Sequence, residues 1–276
     1  MYVVGSLQDI APDAGFYAGH EDGLTRRPLV DRFNGSAHQA FAHGTLAPGG
    51  SVGRHLHAFE EAIYVLSGAL ALDVAGSREE LAADDFVWVE VGVPHGLANS
   101  GPEPATWLEL SAPIPGAQLE DTVFTEGAGA TPEVAYRRGH FDPAELPEPS
   151  STLGLAGAGS ANVGGASLRM LVDAPLGASQ FNLMALRYVA GGAIKEHDHA
   201  FEEAFFFVEG EIEVLLDGET HTLRAGDFCW SAVGSMHALT NRSDGPVRWI
   251  ETQAPQPPGR HQFRYRGDWE RLAGLA

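Results

Sequence analysis

The sequence predicts an all-β protein built as two tandem barrels, and three observations carry that prediction. A stretch of eight residues occurs twice, His55-Leu56-His57-Ala58-Phe59-Glu60-Glu61-Ala62 and His197-Asp198-His199-Ala200-Phe201-Glu202-Glu203-Ala204. Around each copy, apolar and polar residues alternate with the period of a half-buried strand. No amphipathic helix competes in these regions. Side chains on a strand alternate faces, and His55, His57 and Glu61 are separated by even numbers. One extended segment can therefore aim two imidazoles and a carboxylate the same way, which begins a divalent metal site.

The repeat reaches well beyond this stretch. A constant offset of 142 residues relates His55 to His197, Gly68 to Gly210, Asp85 to Asp227, Trp88 to Trp230, His95 to His237, Asn99 to Asn241 and Trp107 to Trp249. The halves align without a gap from Arg27–Pro113 to Arg169–Pro255. About a third of the aligned positions are identical, as expected of a duplicated domain. Each half thus offers a third His, His95 or His237, downstream of its Glu.

Taken in order, residues 1–26 read as an irregular N-terminal arm, and the first barrel spans 27–113. Leu70, Leu72 and Val74 alternate with Ala69, Ala71 and Asp73. In the second half Ile212, Val214 and Leu216 do the same. Ala75-Gly76 and Asp217-Gly218 are tight hairpin signals at matching places. Short strands with regular turns predict a small antiparallel barrel or jelly roll in each half. Residues 114–168 form a linker containing Gly-Ala-Gly-Ala at 127–130 and a low-complexity run at 154–165. The second barrel spans 169–255 and a tail 256–276. Tyr136-Arg137-Arg138-Gly139-His140-Phe141 is echoed by Phe263-Arg264-Tyr265-Arg266-Gly267-Asp268-Trp269. These read as matching basic tails that fold back on each barrel, each followed by a short helical signal at 142–146 and 269–272.

The chain has 276 residues, 44% of them hydrophobic, and a formal net charge of -20. Such a charge repels nucleic acid and anionic membrane, which excludes both as expected partners. No apolar run approaches the length of a transmembrane helix, and the first residues lack the pattern of a signal peptide. One cysteine, Cys229, excludes an internal disulfide, and it reads as a small buried apolar residue. The expected location is cytoplasmic. Edge strands and Gly-rich turns leave room for a homodimer.

These residues resemble the cupin family. Its first motif is matched by Gly49, His55, His57, Glu61 and Gly68, and again by Gly191, His197, His199, Glu203 and Gly210. Its second is matched by Gly226, Gly234, His237 and Asn241, with Ala232 in the Pro place. In the first half Gly92, His95 and Asn99 fit, while Asp84 and Glu90 replace a Gly and the Pro. The resemblance implies a bicupin, two jelly-roll barrels in one chain. It implies up to one metal per barrel, held by His55, His57, Glu61 and His95 and by His197, His199, Glu203 and His237. Family metals are Mn, Fe, Ni, Zn, Co or Cu. Oxalate decarboxylation is disfavoured, because that group carries an Arg three residues before the first ligand His, where Val52 and Ile194 stand here. Ureidoglycine aminohydrolase activity is disfavoured because its ligand pattern departs from His-x-His.

Four protein ligands leave positions open on an octahedral ion, which suits Fe(II), Mn(II) or Ni(II) more than a closed structural zinc, although zinc fits the donor set. Other residues define the expected surroundings. Phe59 and Phe201 are candidates to wall the mouth, and Trp88 and Trp230 either pack the core or wall a substrate. Glu60 and Glu202 have the opposite strand parity and face solvent or fix an imidazole tautomer. Asn99 and Asn241 brace the loop after the third His. Arg187, whose counterpart is Thr45, reads as a surface arginine, or, since it shares odd parity with His197, as a ligand for a substrate carboxylate if no bulge intervenes. His43 shares odd parity with His55. The expected protein is a metal-dependent oxidoreductase of dioxygenase type acting on a small oxygen-rich organic molecule. The alternatives are non-oxidative isomerisation, decarboxylation or hydrolysis, and a non-catalytic metal- or ligand-binding cupin.

Overall fold

The computed structural model describes residues 1–13, 15–116, 120–126, 135–150, 162–257 and 264–266. The first eleven strands among them are β1 (Tyr2–Ser6), β2 (Glu21–Val30), β3 (Ala40–His57), β4 (Glu60–Ser67), β5 (Ala69–Val74), β6 (Ser77–Ala82), β7 (Asp85–Val89), β8 (His95–Ala98), β9 (Ala105–Ala112), β10 (Thr122–Phe124) and β11 (Tyr136–His140). The remainder are β12 (Val163–Val172), β13 (Asn182–Asp198), β14 (Glu202–Glu209), β15 (Glu211–Leu216), β16 (Glu219–Arg224), β17 (Asp227–Ser231), β18 (His237–Thr240), β19 (Val247–Ala254) and β20 (Arg264–Tyr265). The expected all-β class holds. The helical signal at 142–146 is a single 3-10 turn, Pro143–Glu145. The Gly-Ala run at 127–130, most of the 154–165 run and the signal at 269–272 lie outside the described residues.

The chain forms two units, and each carries one curled antiparallel sheet. The first unit comprises Asp9–Asp142 with Leu171–Gln180. Its strands run β11-β7-β4-β9-β3-β8-β5-β6, with β10 and β2 also paired to β3. The second comprises Met1–Gln8, Pro143–Met170 and Phe181–Ala276. Its strands run β1-β17-β14-β19-β13-β18-β15-β16, with β12 and β20 paired to β13. The two orders correspond strand for strand. The hairpin signals act as expected, because Ala75-Gly76 and Asp217-Gly218 all have positive φ, which a two-residue I′ turn requires at both positions.

The N-terminal arm is not irregular. It holds β1 and β2, and β2 continues the repeat upstream, pairing with β3 as β12 does with β13. The matching of the basic tails also needs correction. β11 pairs with β7 in the first sheet, and its counterpart is β1, which pairs with β17 in the second. Each strand passes a glycine over a phenylalanine ring. A Cβ on Gly139 would stand 2.4 Å from the Phe86 ring, and one on Gly5 would stand 2.6 Å from that of Phe228. The tail strand β20 instead pairs with β13 beside His197, as β10 pairs with β3 beside His55. A shared Arg-aromatic composition therefore linked segments that occupy different places.

Each barrel is filled from within. Leu46, Val52, Ile63, Val87, Val89, Leu97 and Trp107 pack together in the first. Leu186, Tyr188, Ile194, Phe205, Cys229, Leu239 and Trp249 do so in the second. Cys229 is fully buried, as expected of a small apolar residue.

Candidate metal centres

The long strands β3 and β13 carry the His-x-His pairs, and a bulge sets their direction. The ladder between β3 and β8 shifts register between Val52 and His55, and that between β13 and β18 shifts between Ile194 and His197. Val52 and His55 therefore both face inward although an odd number separates them. β8 and β18 bring the third His directly opposite the first, His95 to His55 and His237 to His197. β4 and β14 supply Glu61 and Glu203. All eight side chains are buried, at 3% exposure or less.

The imidazoles of His55, His57 and His95, and those of His197, His199 and His237, place their ligand atoms within 4.8 Å of one another. Each Nδ1 faces a backbone carbonyl. His55 donates to Gly53 at 2.8 Å, His57 to Phe59 at 2.7 Å and His95 to Val93 at 2.8 Å. In the second barrel His197 donates to Lys195 at 2.7 Å, His199 to Phe201 at 2.7 Å and His237 to Ser235 at 2.9 Å. A carbonyl only accepts, so Nδ1 carries the proton and Nε2 presents its lone pair inward. Glu61 Oε2 lies 3.0 Å from His95 Nε2 and 3.6 Å from His57 Nε2. Glu203 Oε2 lies 2.9 Å from His199 Nε2 and 3.1 Å from His237 Nε2. Acceptor thus faces acceptor, and the buried Nε2 atoms of His55, His57, His95 and His237 have no hydrogen-bond partner. A cation at the focus satisfies all of them at once, so the two triads could each hold a metal ion.

The proton affinities divide the ligand set: burial would lower His95 and His237, but Glu61 and Glu203 outweigh it and raise both above the usual imidazole range. Burial, with His95 beside it, pushes His55 down to about 3. Burial and the neighbouring His237 hold His197 well below the usual range. Burial alone would raise Glu61 and Glu203, yet their paired imidazoles prevail and hold both well below the usual carboxylate range. Neutral imidazole and ionised carboxylate are the forms that bind a divalent ion.

The other expected site residues divide. Phe59 and Phe201 do adjoin the centres. Phe59 stacks on His57 at 3.9 Å and 8°, and Phe201 on His199 at 3.9 Å and 3°. Trp88 and Trp230 do not. Glu61 pairs across the sheet with Val89, and Ala62 with Trp88, so Trp88 lies on the face opposite the imidazoles. The same register places Trp230 opposite Glu203's face. Glu60 and Glu202 share that outer face, but they are buried rather than solvent-facing, and they hold an indole rather than an imidazole. Trp88 Nε1 donates to Glu60 at 3.2 Å and Trp230 Nε1 to Glu202 at 3.3 Å. Glu60 also accepts from the Ser179 amide at 2.9 Å and its hydroxyl at 2.6 Å. Arg187 sits between Leu186 and Tyr188, both in the inner core, so it faces outward; the bulge downstream breaks its parity with His197. His43 is outward for the same reason. Asn99 donates to Leu46 O and Glu103 O, both at 2.9 Å, and Asn241 to Val189 O at 3.0 Å and Gly245 O at 2.8 Å, bracing the loops as expected.

Several inward residues escaped the reading of the sequence. Glu109 and Glu251 are identical at the repeat offset, beside Trp107 and Trp249, and that identity was the available signal. Burial raises both above the usual carboxylate range; nearby Arg26 opposes this at Glu109, and Glu203 reinforces it at Glu251. Arg26 donates to Glu109 at 3.1 Å and to Asp13 at 2.9 Å. Gln253 Nε2 donates to Glu203 at 2.8 Å and to Glu251 at 3.3 Å. Tyr17 lies over His55, ring centroids 5.0 Å apart, and Tyr265 lies 5.5 Å from His197.

Two barrels, each with an inward His triad that could hold a metal ion, define a double-barrel protein. Residues 42–111 and 185–252 both match the family described as the Cupin domain, and the chain belongs to that family. Among characterised proteins it is 29% identical over 110 residues to the tetracenomycin polyketide synthase protein TcmJ of Streptomyces glaucescens, a match covering 40% of this chain and 70% of that one. Among solved structures it is similar to the putative glyoxylate-induced protein of Pseudomonas aeruginosa, with 15% identity and a TM-score of 0.70 over 92% of this chain and 87% of that one. It is also similar to the oxalate decarboxylase of Lactobacillus farciminis, with 16% identity and a TM-score of 0.67 over 98% and 90%. At that identity the structural likeness speaks for the fold.

Proposed function

We propose that this chain is a metal-dependent bicupin oxidoreductase of dioxygenase type acting on a small, oxygen-rich organic molecule. The supporting observation is the inward convergence of Nε2 lone pairs on a carboxylate oxygen, with each Nδ1 proton tied to a carbonyl. His55, His57, Glu61 and His95 would hold one divalent ion, and His197, His199, Glu203 and His237 a second. Three neutral imidazoles and one carboxylate leave a net charge of about +1 and one or two open positions on an octahedral ion. A bound Fe(II), Mn(II) or Ni(II) supplies a Lewis acid for a chelating enolate, phenolate or diketone and an electron relay to O2.

The protein's own residues prepare that site. The backbone carbonyls of Gly53, Phe59 and Val93 fix the tautomer and ring plane of each imidazole in the first barrel. The packed apolar interior excludes bulk water around the cluster. A non-oxidative reading, such as decarboxylation or isomerisation, is favoured by one observation. Glu251 is a buried carboxyl raised well above its usual range and joined to Glu203 through Gln253, the state of a proton donor. Elemental analysis of untagged protein, followed by O2 uptake with diketones and catechols, tests the two. Two equivalents of metal with O2 consumption support the oxidative reading. Turnover without O2 consumption supports the other, and absence of metal uptake sinks both.

A further inference from the structure

In the first unit a cavity of about 420 Å³ has Phe16, Phe33, Phe59, Arg26 and Thr122 in its wall. We propose that this cavity is the chamber in which the first barrel receives its substrate, and that the substrate is a neutral planar aromatic molecule of one or two rings. The proposal rests on the reading that the first barrel holds a metal ion.

Position is the first argument. Phe59 stacks on His57, and Thr122 is the backbone partner of His57 across β10 and β3. The chamber therefore shares with the first centre a wall residue, Phe59, that touches a ligand imidazole. Size is the second, because about 420 Å³ lies within the range of pockets that enclose small organic ligands.

The wall chemistry selects the ligand. Three phenylalanines face the space, and Phe33 is 83% exposed. Aromatic walls favour stacked or edge-on rings. Arg26 lies 3.9 Å over the Phe16 ring, and its charge is already met by Asp13 and Glu109. It therefore offers a flat plate rather than a free cation, and with Arg32 also in the wall two arginines face the three aspartates Asp13, Asp31 and Asp121, which favours a neutral ring over an anion.

The second centre differs. The void against His197, Glu203 and His237 is only about 20 Å³, walled by Tyr188, Phe205 and Trp249. That is room for about one water.

The test uses the full-length chain and 1-naphthol, titrated by calorimetry. Binding is expected in the wild type, about tenfold weaker in Phe33→Ala, and lost in Thr122→Trp, which fills the chamber. Phe33 is exposed, so its removal spares the fold. Cyclohexanol, similar in polarity but not planar, should bind at least tenfold more weakly. Equal affinity for both alcohols, or unchanged affinity in both variants, overturns the proposal. Line broadening of bound naphthol protons by Mn(II) should persist in His197→Ala and vanish in His55→Ala; the reverse pattern moves the substrate to the second barrel and overturns it. Naphthol binding that survives in a wild type unable to take up Mn(II) supports the aromatic chamber and sinks the metal reading.

Discussion

Gln253 donates through Nε2 to Glu203 Oε1 at 2.8 Å, so the second carboxylate is held on the oxygen that does not face the imidazoles. In the first barrel the matching position is Ser111, whose side chain is shorter. Removing the amide in Gln253→Leu should lower metal affinity at the second centre by about 10- to 100-fold, as loss of a residue that orients a ligand does. Chelator competition in a His55→Ala background isolates that centre. An unchanged affinity there would show that Glu203 needs no such support.

Each cluster should load independently. His55→Ala and His197→Ala should each reduce bound metal from about two equivalents to about one, read by elemental analysis. The double variant should bind none. A single substitution that empties both barrels would contradict two separate ligand sets.

Stability should fall on acidification partly through His43. Burial, helped by Arg27, pushes its pKa from 6.5 to about 4. The unfolded chain takes up the proton first, so the neutral buried form is fully favourable above about pH 6.5. Its contribution is lost as pH falls from there toward 4. The loss amounts to about 3 kcal/mol at most. His43→Phe should flatten the pH dependence of the denaturation midpoint across that window; an unaltered slope would mean that other groups carry it.

Arg26 and Glu109 form a buried ion pair, at 7% and 5% side-chain exposure. Arg26→Leu alone should destabilise the first unit by about 3–5 kcal/mol, because it strands a buried carboxylate. The double variant Arg26→Leu with Glu109→Leu should recover most of that loss. A double variant as unstable as the single one would show that packing, rather than charge, is at stake.

The fold and the clusters were legible because they are written twice. A reading frame shared by Arg27–Pro113 and Arg169–Pro255 filters chance similarity, and the even spacing of His55, His57 and Glu61 survives because no bulge falls inside it. Parity breaks at the bulge between Ile194 and His197, so the odd numbering that Arg187 shares with His197 does not turn it inward, and it takes the surface position. Glu60 was misread for a different reason. Alternation says which face of a strand a residue occupies, not whether another segment covers that face, and Ser179 covers this one from far along the chain. Tyr17 lies outside the aligned repeat, so nothing in the pattern marked it.

The pairing of β1 with β17, and of β11 with β7, has a bearing on how such a chain arose. Each of these strands precedes, in sequence, the barrel that it does not complete. A single-copy ancestor with this layout would have lent its first strand to a second molecule and borrowed one in return. Gene fusion would then have made an exchange between molecules permanent within one polypeptide. A cut between β11 and β12 would accordingly leave the first sheet whole and the second short of its edge strand, β1.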